Sequence, residues 1–402
     1  MSKRVLIVNK FYYPRGGDCV CAINLERMLQ SSGYSTAVFS MSYPDNLPSA
    51  YSGYFAPEVS FDGGIGNKLT ALKRVLGLGD IKKSFAKILS DFKPDAVHFH
   101  NIHSYLSPVI VKMAHEAGAK TVWTLHDYKL ICPAYSCRCG NGLNACEECF
   151  KTPNSSSLGV FTHKCMKGSV AASGIALMEA KLWNRRKLSE YTDAFVCPSN
   201  FMRNKMTQAG FSADKTHTIC NCVDAKKAEI LDNIPESERE DYYVYVGRLS
   251  PEKGTDTLLK AAATLPFRLK ILGSGMDYER LKTEYSENQN IEFLGHCDAQ
   301  TVANILSKAK FSVLPSECYE NNPLSAIESL YAGAPVIGAD IGGIPELVKP
   351  HNGVIFKSGD CDSLVEAIGR AYATPWDHKE IKTLAKEAFS PEVFLKKTLE
   401  LY

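Results

Sequence analysis

The sequence lacks the long apolar runs, the one-sided charge and the leader segment that mark several large classes of protein. No stretch of about 18 apolar residues occurs, so no membrane-spanning helix is expected. Lys and Arg number 46 against 44 Asp and Glu, for a formal net charge of +2. That balance withholds the electrostatic footprint of a nucleic-acid binder, and no nucleic-acid partner is expected. Residues 1–4 run straight into the apolar VLIVN without an h-region, which points to an unexported, cytoplasmic chain. The fourteen cysteines lack the spacing of a disulfide framework: Cys197, Cys220, Cys297 and Cys361 are scattered among strand and turn patterns, as suits a reducing compartment. The GxGxxG dinucleotide fingerprint is missing too.

What is present is a repeated βα rhythm, in a chain of 402 residues that is long enough for two cores at ~100–200 residues each. Residues 5–8 form a continuous apolar run of the kind buried on both faces of a parallel sheet, followed by the loop KFYYPRGGD and a helix pattern over 19–32. Strand patterns follow at 37–40, 96–100, 121–125, 194–197 and 216–221, with helix patterns near 67–76, 80–91 and 108–117 and a long loop over 41–66. A polar, acidic stretch over 224–241 has no core periodicity and reads as an interdomain connector. The rhythm restarts at 242–246. The expected division is 1–222 with a cysteine-rich insertion at 132–165, then 223–375, then 376–402 as helices packing back toward the amino-terminal domain.

Candidate chemistry lies at the carboxyl ends of these strands, where open parallel sheets put their sites. Paired Gly16 and Gly17 let backbone approach a ligand. His126 ends one strand, with His98, His100 and His103 near it; a neutral imidazole there can donate to a sugar hydroxyl without acting as a base. Arg248 and Lys253 bracket the turn after 242–246 and suit two phosphates. The most informative stretch is SECYENNPLSAIESLYAGAPV, residues 316–336, in which Glu320 and Glu328 flank Asn321, Asn322, Pro323 and a helix start. A helix N-terminus near 322–325 suits a diphosphate. The blander alternative is that Glu320 caps a helix and Glu328 is solvated. Cys132, Cys146, Cys149 and Cys165 contain one CxxC and are open to three readings: a structural zinc, free thiols or disulfides. Residues 164–187 carry basic groups around an apolar helical run, which suits either an anionic membrane surface or an ordinary solvated edge.

Taken together, the Gly-Gly loop, His126, Arg248, Lys253 and E-x7-E followed by AGAPVIGADIGGIPELV resemble the retaining nucleotide-sugar glycosyltransferases of family 4, especially those of bacterial capsule, O-antigen or exopolysaccharide assembly. The resemblance implies the α/β GT-B fold, two Rossmann-like domains facing across a cleft. It implies transfer of a hexosyl-type sugar from a UDP- or GDP-linked donor to a glycan or lipid-linked glycan, without a required cofactor, at the inner face of the membrane. By residue, it implies a catalytic set of His126, Glu320, Arg248 and Lys253. The donor would be bound by these last three with Gly16, Gly17, Asn321, Asn322, Pro323, Leu324, Glu328, Gly295 and His296. The acceptor side would hold His100, Asn101 and His103. Two alternatives accompany it: a GT-B nucleotide-sugar hydrolase or epimerase-like enzyme, and a non-catalytic nucleotide-sugar-binding protein.

Overall fold

The computed structural model describes residues 3–59, 65–139, 144–235 and 238–402, the side chains of 65–68 and 144 excepted. The loop read over 41–66, the cysteine-rich insertion and the connector therefore lie partly outside the described residues. The chain divides into two compact units, Met1–Ile219 with Leu395–Tyr402 and Cys220–Phe394. Both are α/β.

The first unit is built on β1 (Arg4–Val8), β2 (Ser35–Phe39), β3 (Ala96–Phe99) and β4 (Lys120–Thr124), a short hairpin of β5 (Arg138–Cys139) and β6 (Asn144–Ala145), then β7 (Ala194–Cys197) and β8 (Thr216–Thr218). Six of these form one sheet in the order β2-β1-β3-β4-β7-β8, with every pairing parallel. Val5 to Val8 of β1 are all buried, the result expected of a strand covered on both faces. The chain leaves β1 toward β2 on one side and reaches β3 on the other, so the sheet has a topological switch point between β1 and β3.

The second unit repeats the scheme with β9 (Tyr242–Val246), β10 (Arg268–Leu272), β11 (Ile291–Gly295), β12 (Ser312–Leu314), β13 (Val336–Ala339) and β14 (Gly353–Phe356). Their order is β11-β10-β9-β12-β13-β14, again all parallel, and the switch point falls between β9 and β12. The core here includes Tyr243, stacked on Phe311 at 5.3 Å between ring centroids.

Two expectations need correction. The stretch 224–241 is not a bare connector: it opens with helix Ala225–Asn233, whose N-cap Asp224 accepts a hydrogen bond from the Lys227 N–H. Ala228 and Leu231 of this helix enter the second unit's core. Two fully buried apolar positions three residues apart are too few to register as a period. Nor do the C-terminal helices act as one element. Helix His378–Phe389 packs on helix Leu324–Tyr331 inside the second unit, and only Leu395–Tyr402 belongs with the first.

Close backbone approach sets the geometry at the carboxyl end of the second sheet. Gly254 has φ +66°, and a Cβ there would lie 1.9 Å from the Pro315 carbonyl oxygen, so the turn after β9 and the chain leaving β12 fit together only with glycine. Gly254→Ala is expected to cost the second unit about 2 kcal/mol or more. Calorimetric melting that leaves that unit's transition unmoved would contradict this packing account.

Candidate functional site

At the switch point of the second unit the turn after β9 meets the segment after β12. Lys253 Nζ lies 2.5 Å from Glu320 Oε1, and the Ser316 hydroxyl donates to the same oxygen at 2.8 Å. The Glu320 side chain is 12% exposed and that of Lys253 27%. Burial works against the Lys253 charge, yet Glu320, with Cys318 adding to it, more than offsets this and holds the ammonium above its ordinary pKa. Arg248 stands close enough for its charge to oppose that of Lys253, and its guanidinium pairs with Glu252 at 2.7 Å. The Glu320 main chain is fixed as well: its carbonyl accepts the Gly343 N–H at 2.7 Å, and Gly342 (φ +62°) leaves room that a Cβ would fill, 2.3 Å from that oxygen.

Glu320 does not cap the following helix. Helix Leu324–Tyr331 begins after Pro323 with no side-chain cap, so its first N–H groups stay open toward the same end of the sheet. Nor is Glu328 solvated: it is 9% exposed and its Oε1 pairs with Lys227 at 2.6 Å. Asn322 is buried; its side-chain oxygen and its carbonyl accept from the Asn221 N–H and amide, both at 2.8 Å, while its own Nδ2 has no partner. Asn321 is half-buried beside it. Gly295 closes β11 at φ +68° and hands the chain to His296, at the same end of the sheet but on its outer strand.

In the first unit the histidines stack. His98 lies 4.8 Å from His100 and His100 5.1 Å from His126 between centroids, with His100 Nδ1 and His126 Nε2 2.8 Å apart. His98 is tied to the Tyr402 hydroxyl at 2.6 Å and to Thr124 Oγ1 at 2.7 Å. His100 is 1% exposed with its Nε2 unpartnered. Burial pushes His98 down to about 3, and it lowers His126 to about 4 although Asp18 pulls the other way. These rings are neutral near pH 7.

The other acceptor-side candidates separate. Asn101 donates to Asp18 Oδ2 at 2.9 Å and lines an open pocket of about 270 Å³, together with Gly16, Lys10, Arg15 and Tyr105. Gly16 is the N-cap of helix Gly17–Ser31, in extended conformation. His103 stacks on Trp123 at 5.0 Å and faces a different cavity, about 300 Å³, beside the buried ion pair Lys129–Glu179 (3.1 Å). Glu179 also accepts from the Ser104 N–H and hydroxyl, each at 2.7 Å.

Among the described residues none of the cysteines is joined in a disulfide. Around the β5–β6 hairpin the Cys146 N–H donates to the Cys137 carbonyl at 2.8 Å. A hydrogen bond from Cys137 brings the Cys132 thiol down to about 7, whereas burial raises Cys149 to about 12. Among the described residues no three His, Cys, Asp or Glu side chains are disposed to hold a metal ion, so the zinc set of Cys132, Cys146, Cys149 and Cys165 gains no geometric support. The basic stretch 164–187 folds as helix Val170–Leu182 and the start of helix Arg185–Tyr191, and Val170 and Met178 are exposed. No described helix is long and apolar enough to cross a membrane.

Comparison with known proteins fits this geometry. A family model described as Glycosyltransferase Family 4 matches residues 15–227, more than half of the chain, and one described as Glycosyl transferases group 1 matches 226–388. The chain belongs to glycosyltransferase family 4. The enzyme is 28% identical over 381 residues, 90% of its length and 92% of the relative's, to an uncharacterized 42.6 kDa protein in the cps region of Klebsiella pneumoniae. It is 36% identical over 136 residues, 30% of its length and 35% of the relative's, to a GDP-mannose-dependent phosphatidylinositol monomannoside mannosyltransferase of Corynebacterium glutamicum. It is 28% identical over 177 residues, 44% of its length and 49% of the relative's, to the O-antigen biosynthesis glycosyltransferase WbnH of Escherichia coli. Among solved structures, the sucrose-phosphate synthase of Thermosynechococcus elongatus shares the fold at TM-score 0.68 and 21% identity, covering 100% of this chain and 98% of that one. HepE of Anabaena, solved with UDP-glucose, does so at TM-score 0.62 and 16% identity, covering 99% and 100%.

The histidine stack of this glycosyltransferase has a stability consequence. The folded state holds His98 and His126 neutral well below the 6.5 of a free imidazole, so the unfolded chain binds more protons between about pH 6.5 and 4. Stability should therefore fall as pH drops through that window, by up to about 1.4 kcal/mol per pH unit for each histidine. His98→Asn should flatten the decline of melting temperature between pH 7 and 5. An unchanged slope would assign it to other groups.

Proposed function

We propose that the enzyme transfers a hexosyl group, with retention, from a UDP- or GDP-linked sugar to a glycan or lipid-linked glycan in surface polysaccharide assembly. The observation that carries this reading is the Lys253–Glu320 pair at the switch point of the second sheet, with Arg248 beside it. Lys253 and Arg248 take the diphosphate, aided by the open N–H groups of helix Leu324–Tyr331. Glu320 accepts a hydroxyl of the donor sugar. Glu328, one oxygen held by Lys227, offers the other to the ribose. For His126 we keep the role of a neutral imidazole donating to a sugar hydroxyl.

In the step proposed, the bond from the sugar C1 to the phosphate oxygen breaks and its electron pair leaves with the nucleoside diphosphate. The acceptor oxygen attacks C1 from the same face, and its proton passes to a departing phosphate oxygen. Charge grows on the diphosphate as the bond breaks, and preplaced cations stabilise it there more than in the ground state. The GDP-mannose dependence of the Corynebacterium relative and the UDP-glucose bound to HepE support a nucleotide-sugar donor. The cps and O-antigen settings of other relatives support the pathway.

Membrane contact fits the same reading. Leu158, Phe161, Val170 and Met178 expose apolar side chains near Lys164, Lys167 and Lys181, which suits a docking face for anionic lipid. Vesicles containing phosphatidylglycerol should sediment the enzyme, and Phe161→Ser with Met178→Ser should release it; equal binding to neutral vesicles would count against this assignment.

The donor assignment is tested by calorimetry and kinetics together. Glu328→Ala should weaken UDP or GDP binding by about 1.5–3 kcal/mol, the scale of a hydrogen bond to a charged group. Lys253→Met should lower kcat more than it lowers nucleotide affinity. Wild-type nucleotide affinity in the first variant, or a change confined to KM in the second, would remove these residues from the site. Donor turnover with acceptor withheld separates a transferase from a hydrolase.

A further inference from the structure

Helix Val170–Leu182 hides a carboxylate. Ser173, Ala176 and Glu179 are its buried residues, three positions apart and so along one side, while Val170 and Met178 lie exposed. An acid in a buried stripe is costly unless partners meet it. Glu179 Oε1 accepts the Ser104 N–H at 2.7 Å, and Oε2 accepts the Ser104 hydroxyl at 2.7 Å and lies 3.1 Å from Lys129 Nζ. The Glu179 side chain is 4% exposed and that of Lys129 9%. Burial pushes the Glu179 pKa up, but Lys129, His103 and the Ser104 hydrogen bond together bring it below the ordinary carboxylate range, so the group is ionised near pH 7.

The partners belong to two different loops. Ser104 lies in the loop that follows β3 and Lys129 in the loop that follows β4, and these strands are parallel neighbours in the sheet. Ser104 has φ +58°, in the left-handed region that a residue with a side chain enters at a cost. Such strain persists where the surroundings over-determine it, and it gathers at functional sites. Glu179 supplies those surroundings by gripping both the N–H and the hydroxyl of Ser104. In the other loop, Lys129 Nζ also donates to the Pro133 carbonyl at 2.7 Å and the Lys129 N–H to Asp127 Oδ1 at 2.9 Å, which closes the turn that starts at His126. A buried ion pair adds little net stability over an apolar pair of similar size, so its use here lies in the geometry it imposes.

We infer that Glu179 is a positioning residue for the transfer: reaching in from a helix outside the sheet, it joins the loop after β3 to the loop after β4 and so sets the place of His126 at its strand end. His126 Nε2 is met from the β3 side by His100 Nδ1 at 2.8 Å, a contact that holds only while the two loops keep their relative position. Glu179 acts on the imidazole through Ser104 and Lys129. The inference rests on the reading that His126 donates to the transferred sugar, and it adds the group that keeps that imidazole in place.

The double variant Glu179→Gln with Lys129→Met, made in the full-length enzyme, separates geometry from stability. Glu179→Gln alone strands the Lys129 charge and should melt well below wild type, whereas the double variant has neither charge and should melt within about 4 °C of it. Its kcat for nucleotide release from UDP-glucose, UDP-galactose or GDP-mannose should still fall at least about tenfold, with UDP and GDP affinities within about twofold of wild type. The His126 ring signals in NMR spectra of histidine-labelled enzyme should shift or broaden, and those of His378 in the second unit should stay. Adding His126→Ala should cost the double variant little more, since both changes act through one imidazole. A double variant with wild-type kcat, unmoved His126 signals, or kcat losses that multiply would each overturn the proposal. Should the double variant not fold, Ser104→Ala removes one donor to Glu179 and leaves the ion pair; it should lower kcat about threefold with the same change at His126, and wild-type values there overturn the proposal too. A His126→Ala variant with wild-type kcat, or a wild-type enzyme that releases nucleotide from none of these donors, fails the underlying reading, and this one falls with it. A slow His126→Ala variant beside a fast double variant sinks the positioning role alone.

Discussion

The ion pair between Lys253 and Glu320 is the constraint on which the second unit's site depends. A lysine that is three-quarters buried keeps its charge only if a carboxylate meets it, and a carboxylate at 12% exposure needs a cation or several donors in return. Each group is brought to its place by backbone that cannot be rearranged cheaply. Lys253 precedes Gly254, which touches the Pro315 carbonyl, and Glu320 is gripped at its own carbonyl by the Gly343 N–H. Two turns from β9 and β12 are thereby locked at the point where the sheet's connections diverge. Removing either charged partner strands the other, so the pair is a device for holding geometry as much as for holding charge.

The first unit solves a different problem. Several of its buried polar groups are satisfied among themselves: His98 between Tyr402 and Thr124, Glu179 among Lys129 and Ser104. Neutral imidazoles at strand ends avoid the cost of a buried cation and leave hydrogen-bonding capacity at the sheet's crevice. The price is sensitivity to acid.

Much of this was legible before any coordinates. Continuous apolar runs at 5–8 and 242–246 announced buried parallel strands, and the strand, turn and helix order around 316–336 set Glu320 at the mouth of the sheet. The spacing of Glu320 and Glu328 could not show that Lys227 meets the second of them, because Lys227 sits in a polar stretch whose helix buries only Ala228 and Leu231 fully. The cysteines stay open for a related reason: CxxC spacing places thiols near one another in sequence, whereas a metal requires them to converge on one point, which spacing alone does not encode. Nor could spacing show that the rings of His98 and His126 stack on the two sides of His100.

The counter-carboxylates of the second unit bear on how such a site works on a diphosphate. Had Lys253 and Arg248 been left unpaired, mutual repulsion would push them apart, and an incoming anion would have to order them at its own entropic expense. Held by Glu320 and Glu252, they are already oriented. On the donor reading, a diphosphate then shares the cations with those carboxylates instead of capturing them outright, so its ground state is bound only moderately. As the glycosidic bond opens and negative charge concentrates on the leaving phosphate, the balance tips from carboxylate to phosphate, and the cations stabilise the transition state more than the bound substrate. The carboxylates thus convert what would be uniform attraction into differential attraction, which is the only kind that accelerates the chemical step.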